Sequence, residues 1–325
     1  MLHKIMMPSV LTLLTLISLN NCAEGLGISF QDSCRRSFRG DQDCYFKVSE
    51  QWDFIKFRKW LDNLEPLGKV SLDISCVEGG SINIPWPMRA RNLERVVIKN
   101  CHIRGYFAEY NVPSRYPDSI LYRHVENCVT EINLPEWFKM IRNMEFEKSY
   151  TCGQESVKTS IWRNNTYRFI NVPKTSDAKM LDLMFQISDI FREKVRSQSF
   201  QCNYKNLEYL ENSNNPSLGK HFMEDLTLNA YYPKLQTLIF SSNKISKMPT
   251  ELTKWYTSFP NLEYLDMSNN KLKSFSFDVP HLSRRQRRLH VNLRNNNIHS
   301  PPKNFYQYPF RSVPLSIDLR GNPIR

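Results

Sequence analysis

One spacing limits what this chain can fold into more than any other property. "LQTLIFSSNKI" begins at Leu235, "LEYLDMSNNKL" at Leu262, "RLHVNLRNNNI" at Arg288 and "PLSIDLRGNPI" at Pro314. Each fits L-x-x-L-x-L-x-x-N-x-L, and the asparagines Asn243, Asn270, Asn296 and Asn322 stand 27, 26 and 26 residues apart. Arg288 and Pro314 break the first apolar position, while the later ones hold. A fixed period of this size marks one supersecondary unit repeated along the chain.

The pattern extends upstream. "LEYLENSNNPSL" from Leu207 puts Asn215 at the polar rung, and "LERVVIKNCHI" from Leu93 puts Cys101 there, as a cysteine substitute for asparagine. "LGKVSLDISCV" is a weaker copy with Ser75, and "ILYRHVENCVT", with Cys128, is weaker again. Between Leu134 and Gln198 the register blurs. "IRNMEFEKSY" and "NTYRFINV" read as irregular coils, and an amphipathic helix is expected after an N-capping Ser176, with Met180, Leu181, Met184, Ile187, Phe191 and Val195 on its apolar face.

In each unit x-L-x-L is a short strand, so Leu265 and Met267 point inward and Tyr264, Asp266 and Ser268 outward. The rung asparagine then satisfies backbone groups that the turn would leave buried. One coil cannot bury its own leucines, whereas stacked neighbours can. The expected fold is α/β: a curved leucine-rich repeat solenoid of roughly nine to eleven coils. Its concave face would carry a parallel sheet and its convex side irregular or short helical segments. Residues 67–325 would form this solenoid, with an irregular middle at about 134–198, and residues 24–66 an N-terminal cap.

The first residues, "MLHKIMMPSVLTLLTLISLNNCAEG", read as a secretory signal peptide (residues 1–23): a basic start, an apolar stretch too short to span a bilayer, then small and polar residues. No later run is long and apolar enough for a transmembrane helix. The expected location is therefore extracellular, secreted or at the cell surface if the chain is a fragment of a longer receptor, where disulfides persist. Of the eight cysteines, Cys22 would leave with the signal, so one of the other seven is free or pairs outside the chain. Cys34 and Cys44 are expected to close a capping disulfide. Nothing comparable follows Ile317, Leu319 and Ile324, so the last coil would be half covered, and the chain is expected to be a fragment, a truncated product or covered by another subunit.

The formal charge is +12, and from residue 200 onward 17 Lys and Arg face 9 Asp and Glu. Such a surface favours acidic partners such as a polyanionic glycan or an acidic protein face. Nucleic acid is disfavoured, because no aromatic residues interleave a basic patch. "RRQRR" (Arg284 to Arg288) reads as a solvated basic loop. No metal-binding, nucleophile-elbow or phosphate-loop motif is present, so neither an enzyme nor a cofactor is expected. Asn164-Asn165-Thr166 is an N-glycosylation sequon, with Asn164 as acceptor.

"RRLHVNLRNNNI" followed by "SIDLRGNPI" resembles the membrane-proximal end of an insect-type Toll receptor ectodomain, and "KWYTSFPNLEYLDMSNNKL" fits the coil before it. The likeness is specific over Leu235 to Ile324 and loose elsewhere. It lacks the cap cysteines, the transmembrane helix and the cytoplasmic TIR domain of that family. The resemblance implies a recognition domain for a protein ligand, a cystine-knot cytokine of the Spätzle type, in innate immune or developmental signalling. Contacts would come from outward strand positions: Arg95, Lys99, Tyr209, Glu211, Tyr264, Asp266, His290, Asn292, Arg294, Asp318 and Arg320. The alternative is a secreted scaffold, decoy or adhesion protein without a signalling role, to which Arg39-Gly40-Asp41 would lend an integrin motif.

Overall fold

The computed structural model describes residues 29–77, 79–85, 88–105, 115–136, 156–171, 202–215, 230–248, 252, 258–276, 287–300 and 314–324. The expected signal segment, Cys22, Cys152, the helix expected after Ser176 and residues 284–286 of the basic loop lie outside these residues.

The main sheet has eleven strands, formed by β1 (Cys34–Arg36), β2 (Gln42–Val48), β4 (Val70–Cys76), β6 (Leu93–Lys99), β8 (Tyr122–Glu126), β10 (Thr159–Arg163), β13 (Tyr209–Ser213), β15 (Thr237–Ile239), β16 (Tyr264–Asp266), β17 (Leu289–Asn292) and β18 (Leu315–Asp318), in that order. Only the β1–β2 pair is antiparallel. Each later strand lies parallel to its predecessor, as a solenoid that advances one coil at a time requires. Inward residues Leu72, Val96, Leu210, Leu238, Leu265, Met267 and Val291 are buried against their neighbours in one continuous core.

A second parallel sheet was not anticipated. Its strands are β3 (Gln51–Asp53), β5 (Ser81–Asn83), β7 (His102–Arg104), β9 (Val129–Asn133) and β11 (Thr166–Ile170), so the early coils are flanked by strands on both sides of the core. β12 (Cys202–Asn203) and β14 (Ala230–Tyr231) form a separate parallel pair. Downstream, Tyr204, Tyr232 and Phe259 stack with ring centroids 4.5 and 5.1 Å apart. Each stands three residues before a buried leucine (Leu207, Leu235, Leu262), which extends the repeat backwards by one aromatic position.

The N-terminal end is closed by an aromatic cluster. Two helices, α1 (Phe30–Ser33) and α2 (Phe54–Asp62), help to bring Phe30, Phe46, Trp52, Phe54, Phe57 and Trp60 together. Asp53 caps α2 by accepting from the Lys56 N–H, and Cys34 is bonded to Cys44. At the other end Ile317 and Leu319 are half-buried, and Ile324 is 42% exposed.

A column of side chains runs through the turns. The Cys128 N–H donates to Asn165 Oδ1, Asn165 N–H to Asn215, Asn215 N–H to Asn243 and Asn243 N–H to Asn270, at 2.7–2.9 Å. Asn296 and Asn322 continue the column by accepting from Leu272 N–H and Ile298 N–H. Cys101 occupies its expected rung with its sulfur bonded to Cys76, and its N–H donates to Cys128 Sγ at 3.4 Å. Two assignments change. Ser75 is not a rung: it is exposed and in register with Lys99. Asn165 is a rung inside the segment expected to be irregular, and residues 156–171 form a regular coil there.

A second column stands beside the first. The residue before each rung has left-handed backbone: Asn100, Asn127, Asn164, Asn214, Ser242, Asn269, Asn295 and Gly321, with φ between 53° and 76°. Asparagine and glycine reach this region at least cost. Their amides bond from coil to coil, Asn127 to Asn100, Asn164 to Asn127, Asn214 to Asn164, and Asn295 to Asn269.

Candidate functional site

Outward-facing residues of the main sheet fall into three rows set by strand register. One runs through Asp43, Ser71, Arg95, Tyr122, Thr159, Tyr209, Thr237, Tyr264, His290 and Ser316. The central row holds Tyr45, Asp73, Val97, His124, Ile161, Glu211, Ile239, Asp266, Asn292 and Asp318. The third passes Lys47, Ser75, Lys99, Glu126, Arg163 and Ser213, and Arg294 and Arg320 follow at its far end. All eleven residues expected on the concave face are on it.

Seven cations (Arg35, Lys47, Arg95, Lys99, Arg163, Arg294, Arg320) meet six carboxylates (Asp43, Asp73, Glu126, Glu211, Asp266, Asp318) on this surface, so it is close to balanced in a chain of charge +12. Most of these charges are interlaced. Arg95 Nε lies 3.5 Å from Asp73 and its guanidinium 4.5 Å above the Tyr122 ring. Lys99 Nζ is 3.4 Å and His124 Nε2 3.3 Å from the same Glu126 oxygen. Burial holds the His124 imidazole below its ordinary value of 6.5 and pushes the Asp73 carboxyl up.

Glu211 differs from a contact residue. It is only 4% exposed, and its carboxylate accepts from Arg163 at 2.7 and 2.8 Å, from Tyr209 Oη at 2.9 Å and from Ser213 Oγ at 2.6 Å. Burial alone would raise this carboxyl, but those donors outweigh it and leave it below 4.5. Burial, and then the Glu211 carboxylate, push the Tyr209 hydroxyl above its ordinary value. Glu211 therefore positions Arg163 and Tyr209.

Two open depressions lie on the face. One, of about 650 Å3, is lined by Tyr45, Lys47, Asp73, Arg95, Lys99, Tyr122 and His124, and the other, of about 490 Å3, by Tyr264, His290, Asn292, Arg294, Ser316 and Asp318. In the second, Asn292 Nδ2 donates to Asp266 at 3.0 Å, His290 Nδ1 is 2.7 Å from Ser316 Oγ, and the Arg320 guanidinium holds Asp318 at about 2. Tyr45 (61% exposed), Lys47, Tyr122 and His124 were missing from the expected set. The same strand alternation would have found them, had the early coils been read in register.

The Arg39-Gly40-Asp41 tripeptide does not present a free carboxylate. Asp41 accepts from the Lys69 N–H at 2.9 Å and from Ser37 Oγ at 3.2 Å. Gly40 (φ +84°) packs where a Cβ would come within 2.6 Å of the Pro66 carbonyl, so this is a structural turn. Asn164 and Thr166 are exposed, and the Asn164 amide takes part in the second asparagine column. Arg287 pairs with Glu263, and Arg288 is exposed. No helix of the described residues is long and apolar enough to cross a membrane.

A family profile described as leucine-rich repeats in two copies matches residues 233–279. Among solved structures, a leucine-rich repeat protein of Leptospira interrogans is 16% identical, with 95% of this chain and 93% of that one covered and a TM-score of 0.24. No curated protein matches. Parallel strands advancing coil by coil, and a column of asparagine amides between them, are what those repeats build: the chain carries leucine-rich repeats and folds as a leucine-rich repeat solenoid.

Proposed function

We propose that this chain is the recognition domain of a Toll-type receptor, or a secreted form of one, and binds a protein ligand on its concave face. The observation that carries the reading is the near-neutral, aromatic-bearing surface. Tyr45, Tyr122, Tyr209 and Tyr264 stand among paired charges, a composition that suits a folded protein partner better than a polyanion. Support for an extracellular site of action comes from the Cys34–Cys44 and Cys76–Cys101 bridges, which persist in oxidising compartments. A Spätzle-like cystine-knot cytokine is the partner that the Toll resemblance of residues 235–324 implies. A glycan on Asn164, on the flank, would leave the face free.

The test is a binding titration of the secreted protein against a cystine-knot cytokine, with Tyr45→Ala, Tyr264→Ala and Arg294→Ala beside wild type. Wild-type binding weakened at least about tenfold by Tyr264→Ala supports the reading, since a buried aromatic anchor is worth about 2 kcal/mol or more. Binding that all three variants retain in full sinks the concave face as the contact surface. No binding by wild type sinks the cytokine.

A further inference from the structure

The surplus of positive charge lies off the concave face, and part of it is collected in one place. Beyond each rung asparagine the chain turns onto the flank in the same register, because Ile245 N–H, Leu272 N–H and Ile298 N–H each donate to the rung of the next coil at 3.0–3.1 Å. Lys271 N–H further donates to the Ile245 carbonyl at 2.7 Å and Asn297 N–H to the Leu272 carbonyl at 2.9 Å. Three consecutive coils are thus held side by side at hydrogen-bonding distance, about 5 Å apart. The first, third and fourth positions after the rung form a three-by-three grid, and all nine are exposed. One coil supplies Lys244 and Lys247, the next Lys271 and Lys273, the third Asn297 and His299, and the remaining three positions are serines.

The grid contains no carboxylate, and none of its four lysines forms an ion pair among the described residues, in contrast to the interlaced concave face. Lys244 also holds a left-handed backbone, φ 58°, where asparagine or glycine would cost less. The apolar side chains of these turns, Ile245, Leu272 and Ile298, are fully buried. Nothing apolar is therefore offered to a lipid bilayer, and no Phe, Tyr or Trp ring to a nucleic-acid base. What remains is a flat array of ammonium groups interspersed with hydroxyls, spaced to meet a row of fixed anions.

We infer that this flank is a second binding surface, and that its ligand is a linear sulfated polysaccharide. Lysine ammoniums act as point charges toward the sulfates, the serine and asparagine side chains as neutral donors between them, and affinity follows salt as ions are released. The inference stands apart from the protein-ligand reading, because the strip shares no residue with the concave rows.

The test is retention of the whole secreted protein on immobilised heparin at about 150 mM salt. Lys247→Gln/Lys273→Gln is compared with Lys56→Gln/Lys59→Gln, which removes the same charge from the cap helix. Expected are retention of wild type, at least tenfold weaker binding and earlier salt elution for the flank pair, no change for the cap pair, and near wild-type retention for Lys247→Arg/Lys273→Arg. The inference is overturned if wild type is not retained or if both glutamine pairs weaken equally. It is also overturned if duplex DNA of matched charge or phosphatidylserine vesicles bind as tightly as heparin.

Discussion

Asn270 shows what a single side chain must do in this fold. Its Oδ1 accepts from both Asn243 N–H and Ile245 N–H, and its Nδ2 donates to the Phe240 and Met267 carbonyls, all within the buried turn. Removing the amide orphans two donors at about 1–3 kcal/mol each, so Asn270→Ala should destabilise by about 2–6 kcal/mol in a denaturant titration. A smaller loss would mean that water fills the rung. Gly321 is constrained differently: at φ +76° an added Cβ would lie 2.1 Å from Asn295 Oδ1. Gly321→Ala should therefore loosen the last coil, seen as faster amide exchange at Asn295 and Ile298, whereas unchanged exchange would show that the Asn295 amide simply swings aside. Cys128 is buried and its thiol is pushed up to about 11 by that burial. Peptide mapping after brief alkylation at pH 8 should leave it unmodified in the native protein and modified after unfolding.

Among the elements, the pair β10 and β13 shows both why charge is held here and why part of the repeat is hard to read. Arg163 on one strand clamps Glu211 on the other, and the folded carboxyl lies below its unfolded value of 4.5. Its contribution is thus fully present above that value and lost as pH falls below it. Stability of wild type should decline with acid below about pH 4.5 more steeply than that of Glu211→Gln, which starts lower but lacks this carboxyl; parallel profiles would refute the assignment. The coils after Leu235 are legible because their inward positions are nearly all aliphatic and the rung is always asparagine. In the coils at 120–128 and 157–165, Arg123 and Ser160 occupy inward positions where leucine is expected, and Arg123 Nη2 donates to Ser160 Oγ at 2.9 Å. A polar pair bonded to each other at these inward positions erases the pattern on two neighbouring coils at once, which hides the rung Asn165 in the sequence. The second sheet was missed for another reason. "QWD", "SIN" and "HIR" are three-residue strands, too short for alternation to register, and hydrogen bonds to adjacent coils make them strands.

At the scale of the whole molecule, charge is sorted by surface. The concave face is close to balanced while the nine described flank positions of three later coils carry four lysines and no carboxylate, so the two surfaces should differ in their response to salt. Raising ionic strength should release a polysaccharide from the flank and leave a protein ligand on the concave face largely in place. Simultaneous loss of both would place them on one surface.

The column through the turns is not uniform: it begins as a covalent sulfur bridge between Cys76 and Cys101, passes through a buried thiol, and continues as amides. Among the described residues, only the coils up to Ile170 have a strand of the second sheet behind them. Pulled lengthwise, such a stack should peel from its carboxyl side, one turn after another, and come to rest where the sulfurs are joined. An optical trap would record steps of 26, 26, 27 and 28 residues back to Asn215, longer ones of 50 and 37 residues back to Cys128, and then a resistant remainder, which reducing agent should abolish.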